Sequence, residues 1–307
     1  MNSQRGILNG GNKEMSKEVR LNRIIAALEG GRPAFATFAA PEISLAQSIN
    51  AAPYDGVAFE MEHYPYDIHA LRDCLQYMLD RRQILESGTL APTVTPIVRV
   101  PANGGEMNQW IVKQVLDVGV YGVIFPHVSD VDEAYNAVAS CRYPRPNSAT
   151  NYQPAGVRGD GPRGAVPYWG ITQLEYYKRA DVWPLNPGGE IFVGIMCEEV
   201  RAVKNLPTIL EKVPGISMVL IGEGDLSQDM GYPRQYGHPS VVAAMNDVLA
   251  TCKQYNVACG HPHVGVDNID ALLEQGYRFL MAAPTPSYAA LERGRKILSG
   301  TEALEKK

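Results

Sequence analysis

Residues 190–222, EIFVGIMCEEVRAVKNLPTILEKVPGISMVLIG, read as a strand, a helix and a second strand. EIFVGIM (190–196) and SMVLIG (217–222) are short apolar runs, and the segment 199–213 between them has helical periodicity. Outward from this unit the alternation repeats. Further runs stand at PAFATFA (33–39), DGVAFEME (55–62), TPIVRV (95–100), YGVIFP (121–126), VACGH (257–261) and YRFLMAA (277–283). Helices are expected near 42–52, 67–82, 106–118, 130–141, 239–255, 267–275 and 286–298. This is the pattern of a parallel sheet wrapped by helices. Eight strand–helix units predict an α/β chain folded as a (β/α)₈ TIM barrel. A doubly wound open sheet usually has fewer strands and a Gly-rich phosphate loop after the first, and no GxGxxG follows residues 33–39.

One stretch breaks the rhythm. Residues 142–189, rich in Pro, Gly, Arg and aromatics, make a long loop before the fifth strand, and loops of this length in compact domains are commonly functional. One reading folds GVRGDGPRGAVPYWG (156–170) over the barrel mouth, with Tyr168 and Trp169 as a wall for a substrate; a plain surface or subunit-contact loop is an equal alternative. The domain plan is a flexible segment over 1–24, the barrel over 25–300 and a tail over 301–307.

Composition sets the outer bounds. The chain has 307 residues and is 45% hydrophobic, enough for one large core without a linker. A net charge of -5 without clustered Lys or Arg excludes a nucleic-acid partner, whose phosphates need such clusters. No apolar run approaches the roughly 20 residues that span a bilayer. Five cysteines, an odd number with no CxxC spacing, point to a reducing compartment, so a cytoplasmic protein is expected.

Catalytic groups of such barrels sit at the C-terminal ends of the strands. The polar residues there are Glu60, Glu62 and His63, then Arg99, Glu198 and Glu199, Asp225, and His261 with His263. Carboxylates on neighbouring strands, Glu198 and Asp225, suit an oxygen-rich site for Mg²⁺ or Mn²⁺, with Co²⁺ or Zn²⁺ as further options. Either could instead be structural, Glu198 capping a helix and Asp225 starting a turn. A bound ion would act as Lewis acid on a 2-keto acid while Arg99 offsets the enolate charge. A Schiff-base route is not expected here, because Lys113, Lys178, Lys204, Lys212, Lys253 and Lys296 all fall in expected helices or the long loop. His261 and His263 are read as acceptor contacts in preference to metal ligands, while His127 is similarly placed without a settled role.

The segments FEMEHYPYD (59–67), TPIVRV (95–100), KQVLDVGVYGVIFPHV (113–128), ASCRYP (139–144), AGVRG (155–159) and EEVRAVKNLPTILEKVPGISMVLIGEGDLSQDMG (198–231) together resemble the HpcH/HpaI aldolase family across roughly residues 25–300. The resemblance implies a class II pyruvate aldolase, a trimer or a hexamer with exchanged C-terminal helices. It implies metal ligands at Glu198 and Asp225, an enolate-stabilising Arg99, a His63–Asp117 acid/base pair, and backbone N–H groups of Gly224 and Asp225 on the substrate carboxylate. The partners would be a 2-keto acid and an aldehyde. Four positions depart from the family pattern: Glu60 for Asp, Met196 for a pocket Gln, Gly224 for Ala and Phe38 for Trp. Oxaloacetate decarboxylation, or enolate trapping like that of macrophomate synthase, is the alternative within the fold. A zinc hydrolase using His261 and His263 is the alternative outside this chemistry.

Overall fold

The computed structural model describes residues 19–101, 106–284 and 288–301. Eight parallel strands form the barrel: β1 (Ala34–Ala39), β2 (Gly56–Glu60), β3 (Thr95–Arg99), β4 (Gly122–Phe125), β5 (Ile191–Cys197), β6 (Met218–Ile221), β7 (Ala258–His261) and β8 (Phe279–Met281). Each pairs with the next, β8 returns to β1 through Ala34 opposite Phe279, and the ring is continuous through β4–β5, where Ile124 lies opposite Gly194. The expected (β/α)₈ barrel is therefore present, with each expected strand within two residues of its observed ends.

Strand alternation separates two apolar cores. Ala36, Ala58, Ile97, Ile124, Phe192, Met196, Met218, Leu220 and Ala258 pack together inside the barrel. Their neighbours Phe35, Val57, Val98, Val123, Ile195, Val219 and Cys259 pack outward against helix residues such as Leu71, Val112 and Leu206. Since side chains alternate with a period of two, this parity decides which strand-end residues reach the mouth. Counting on from the inner set brings Phe38, Glu60, Arg99 and Glu198 inward and sends Cys197 and His261 outward.

The N-terminal end is closed by a helix absent from the sequence reading, Arg23–Glu29. Asn22 caps it, its side-chain oxygen accepting from the N–H groups of Ile24 and Ile25. Ile24, Ile25 and Leu28 join the inner core, and Ile24 lies so near β2 that a Cβ on Gly56 would fall 2.4 Å from it. Just before this helix Leu21 and Asn22 are buried, and their N–H groups donate to Glu190 at 3.1 and 3.0 Å. Residues 1–18 and 302–307, the larger parts of the expected end segments, lie outside the described residues.

The excursion over 142–189 leaves the C-terminus of helix Val131–Ser140 and re-enters β5 at its start, so it covers the N-terminal face of the barrel. The expected lid over the mouth is corrected accordingly. Arg142, fully buried, gathers the excursion by donating to Asp181 (2.7 Å) and to the carbonyls of Pro154 (2.7 Å) and Asn151 (2.8 Å). Trp169 is not a substrate wall: it is 1% exposed, stacks on Tyr121 at 4.3 Å and donates to the Gly119 carbonyl at 2.8 Å. Trp169→Ala should therefore cost stability, about 3–5 kcal/mol, visible as a lower urea midpoint, with the turnover of the folded fraction retained.

The C-terminal helix Ala289–Leu298, expected to be exchanged between subunits, lies in the single chain on its own barrel, with Leu291 buried and Arg293 donating to Asp270 at 2.7 Å. All five cysteines are buried and unpaired. Among the described residues no helix is long and apolar enough to cross a membrane.

Candidate metal and keto-acid site

Residues from the ends of six strands, β1 to β6, meet at the C-terminal mouth. Glu198 follows β5, is 1% exposed, and has one carboxylate oxygen that accepts from the backbone N–H of His127 at 2.6 Å. Its other oxygen, Oε2, has no hydrogen-bond partner. Gly222, just after β6, makes room for this side chain, since a Cβ there would stand 2.3 Å from Oε2. The helix-cap role for Glu198 is removed, because the first N–H of helix Val200–Lys212 is taken by Asp229 at 2.8 Å. Burial raises the Glu198 carboxyl to about 7, with the nearby Glu62 and Asp225 charges adding to the effect and His127 opposing it.

Asp225 stands in the first turn of helix Glu223–Asp229 with its side chain exposed. One donor atom each from His127, Glu198 and Asp225 can be chosen so that all lie within 4.8 Å of one another. An orphaned buried oxygen beside two further donors in that small a volume fits a divalent cation, because a buried carboxylate is otherwise paired or neutralised.

Arg99 ends β3 beside this cluster and is nearly buried. Glu60 accepts from its Nε at 2.7 Å and also from Nη2, so one edge of the guanidinium is clamped. The remaining nitrogen, Nη1, lies 3.0 Å from Glu62 and 3.6 Å from the Met196 sulfur, and the guanidinium carbon sits 4.5 Å over the Phe38 ring. Phe38, Glu60, Arg99 and Met196 are thus brought together as parity requires. The longer Glu60, standing where the family pattern has Asp, also bends the following loop, accepting from the N–H groups of Glu62 (2.7 Å) and His63 (3.3 Å). Burial pushes the Glu62 carboxyl up while Arg99 pulls it down.

His63 is placed at the rim, largely exposed, with Nε2 3.6 Å from Glu62. Asp117 is elsewhere. It closes helix Gln109–Val118, just before β4 begins, and so lies on the opposite face of the barrel from His63. There it pairs at 2.8 Å with Arg158, a buried guanidinium lying 4.5 Å over the Tyr143 ring. Within one chain the expected His63–Asp117 pair does not form. Burial raises the Asp117 carboxyl, opposed by Arg158.

The strand-seven histidines are also displaced from their expected place. Ala258 points into the barrel, so His261 points outward, edge-on to Tyr277 at 5.2 Å. His263 pairs with the buried Glu223, and both histidines line a separate cavity of about 500 Å³ between the outer helices, with Tyr236, Asn246 and Gln275. Neither touches the Glu198–Asp225 cluster, which removes the support for a hydrolase built on them. Gly224 remains at the mouth, where a Cβ would meet only the Tyr236 hydroxyl at 4.0 Å.

His127 is the member to which sequence reasoning assigned no role. It follows β4 in the run FPHV and adopts a left-handed backbone, φ 53°. That turn interrupts the alternation of the strand, so parity could not have shown where its ring points.

Comparisons with known proteins bear on the family to which the chain belongs. The HpcH/HpaI aldolase/citrate lyase family model matches residues 37–285. A 4-hydroxy-2-oxo-heptane-1,7-dioate aldolase of Shigella flexneri is 30% identical over 240 residues, 78% of either chain. A HpcH/HpaI aldolase/citrate lyase family protein from Burkholderia cenocepacia J2315 superposes with a TM-score of 0.69 at 28% identity, over 91% of this chain and 99% of that one. Macrophomate synthase shares the fold with a TM-score of 0.61 at 22% identity, over 92% of this chain and 87% of its own. A family model spanning the barrel from β1 to β8 and a relative of this identity lead to one conclusion: the chain belongs to the HpcH/HpaI aldolase/citrate lyase family.

Proposed function

We propose that this chain is a metal-dependent lyase that reversibly cleaves a 4-hydroxy-2-keto acid into pyruvate, or a close 2-keto acid, and an aldehyde. The observation that carries this reading is the orphaned, buried Glu198 oxygen beside Asp225, next to an arginine clamped along one edge. Glu198 and Asp225 would hold Mg²⁺, Mn²⁺ or a similar ion, which when bound supplies Lewis-acid polarisation of the keto oxygen. The N–H groups of Gly224 and Asp225, in the first turn of their helix, lack intrahelical acceptors and suit the substrate carboxylate. Arg99 offsets the negative charge that develops as the C3–C4 bond breaks, and Glu60 fixes its orientation beforehand. Phe38 and Met196, both against Arg99, would line the keto-acid side of the site.

His63 takes the proton of the C4 hydroxyl. The C3–C4 electron pair passes into the enolate, the aldehyde leaves, and protonation of C3 yields the methyl group of pyruvate. Asp117 can assist His63 only from a second chain, so this reading includes a homo-oligomer, a trimer or a hexamer. The buried unpaired cysteines support a cytoplasmic setting. His63→Ala should slow cleavage on the order of 10²-fold, the usual scale for a lost acid or base, while metal affinity measured by calorimetry stays nearly unchanged. If that variant loses the metal instead, His63 is a ligand.

The activity itself is tested on metal-stripped protein given a 4-hydroxy-2-keto acid. Equal amounts of pyruvate and aldehyde should form once Mg²⁺ or Mn²⁺ is added. Carbon dioxide from oxaloacetate, with no cleavage of any hydroxy keto acid, would assign the site to decarboxylation.

A further inference from the structure

His127 carries more than the proposed reaction requires. Its φ of 53° is a left-handed backbone, uncommon for a non-glycine residue. This backbone aims its N–H at Glu198 (2.6 Å) and places its ring among carboxylates: Nδ1 is 3.1 Å from Glu199 and 3.7 Å from Glu198, and Nε2 is 3.7 Å from Glu62. Glu199 is itself held, accepting from the Ser129 hydroxyl at 2.7 Å. An imidazole oriented by a fixed carboxylate is the usual outer-shell arrangement of a metal-bound histidine. The local charge points the same way. Glu62, Glu198, Glu199 and Asp225 converge here, and Arg99 is already engaged by Glu60 and Glu62. The Glu198 Oε2 atom, buried and without a hydrogen-bond partner, is a second sign that the site suits a cation.

We propose that the His127 imidazole is a third protein ligand of the cation held by Glu198 and Asp225, which makes this site prefer a nitrogen-accepting ion (Mn²⁺, Co²⁺ or Zn²⁺) over Mg²⁺. The inference rests on the metal reading above and narrows it. Mg²⁺ is satisfied by oxygen donors and water, whereas imidazole raises affinity along the transition series toward cobalt and zinc. With His, Glu and Asp in place, the remaining positions stay open to a chelating keto acid.

The test uses the full chain, stripped of metal and loaded with Mn²⁺, and pulsed EPR to detect nitrogen bonded directly to the ion. The wild type should show that nitrogen coupling, and His127→Gln should lose it while still binding Mn²⁺. By calorimetry the same variant should lose Co²⁺ affinity on the order of 10²-fold, the upper range for disturbing even an outer-shell partner, with Mg²⁺ affinity changed only a few-fold. Bound Mn²⁺ without nitrogen coupling in the wild type, with binding lost in Glu198→Gln, overturns the ligand role of His127 and leaves the carboxylate site standing. Nitrogen coupling that survives in His127→Gln also overturns it. Absence of any Mn²⁺ binding to the wild type overturns this inference together with the metal reading on which it depends.

Discussion

Glu198→Gln and Asp225→Asn are each expected to reduce metal affinity on the order of 10²-fold or more and to remove cleavage activity. The scale follows from outer-shell changes, which already cost about 10–100-fold, and a direct ligand has no replacement. An amide of the same shape keeps a neutral oxygen donor but loses the charge that offsets dehydration of a divalent ion. At Glu198 a second effect applies. Its carboxyl is raised by burial, so a cation competes with a proton for this group. The amide is neutral at every pH, so Glu198→Gln should fold at least as stably as the wild-type chain without metal. Calorimetric titration of stripped protein separates the outcomes: near wild-type affinity or turnover in either variant removes the metal assignment.

Arg99→Lys is expected to lower kcat on the order of 10²-fold or more, by analogy with removing a donor that stabilises a developing oxyanion. Arg99 gives Nε and Nη2 to Glu60 and keeps Nη1 near the mouth. A lysine ammonium is a single point charge on a flexible stem; it can satisfy Glu60 or reach the substrate, whereas the planar fork does both. Because the charge opposite Glu60 is kept, folding stability should fall far less than turnover. Steady-state kinetics with a parallel urea denaturation curve show which is affected. A kcat within a few-fold of wild type would place Arg99 among structural residues.

The barrel could be read from the sequence because its strands are short apolar runs separated by helical periodicity, a signal that each of the eight runs carries independently. Glu198, Asp225 and Arg99 could be read because they end such runs. Other residues were misplaced for identifiable reasons. His261 stands at a strand end but on the outward parity, two residues before an equally attractive His263. Asp117 ends a helix, and a helix in this fold ends at the face opposite the mouth. The same rule applies to residues 142–189, which join a helix to a strand; their aromatic content is that of a buried packing layer, as Trp169 on Tyr121 shows. Helix Arg23–Glu29 is too short to show a pattern, and only the inner core it plugs makes its apolar residues meaningful. His127 depends on a left-handed turn that a single His in FPHV does not announce.

The central claim is that this mouth generates the enolate of a 2-keto acid with the aid of a divalent ion. Its most direct test is the proton spectrum of pyruvate in D₂O with protein and Mn²⁺ or Mg²⁺, which requires no knowledge of the aldehyde. The account predicts loss of the methyl signal to deuterium, at a rate that vanishes after chelation and falls sharply in Arg99→Lys. A methyl signal that exchanges no faster than with the metal ion alone, or equally fast in chelated protein, would contradict it.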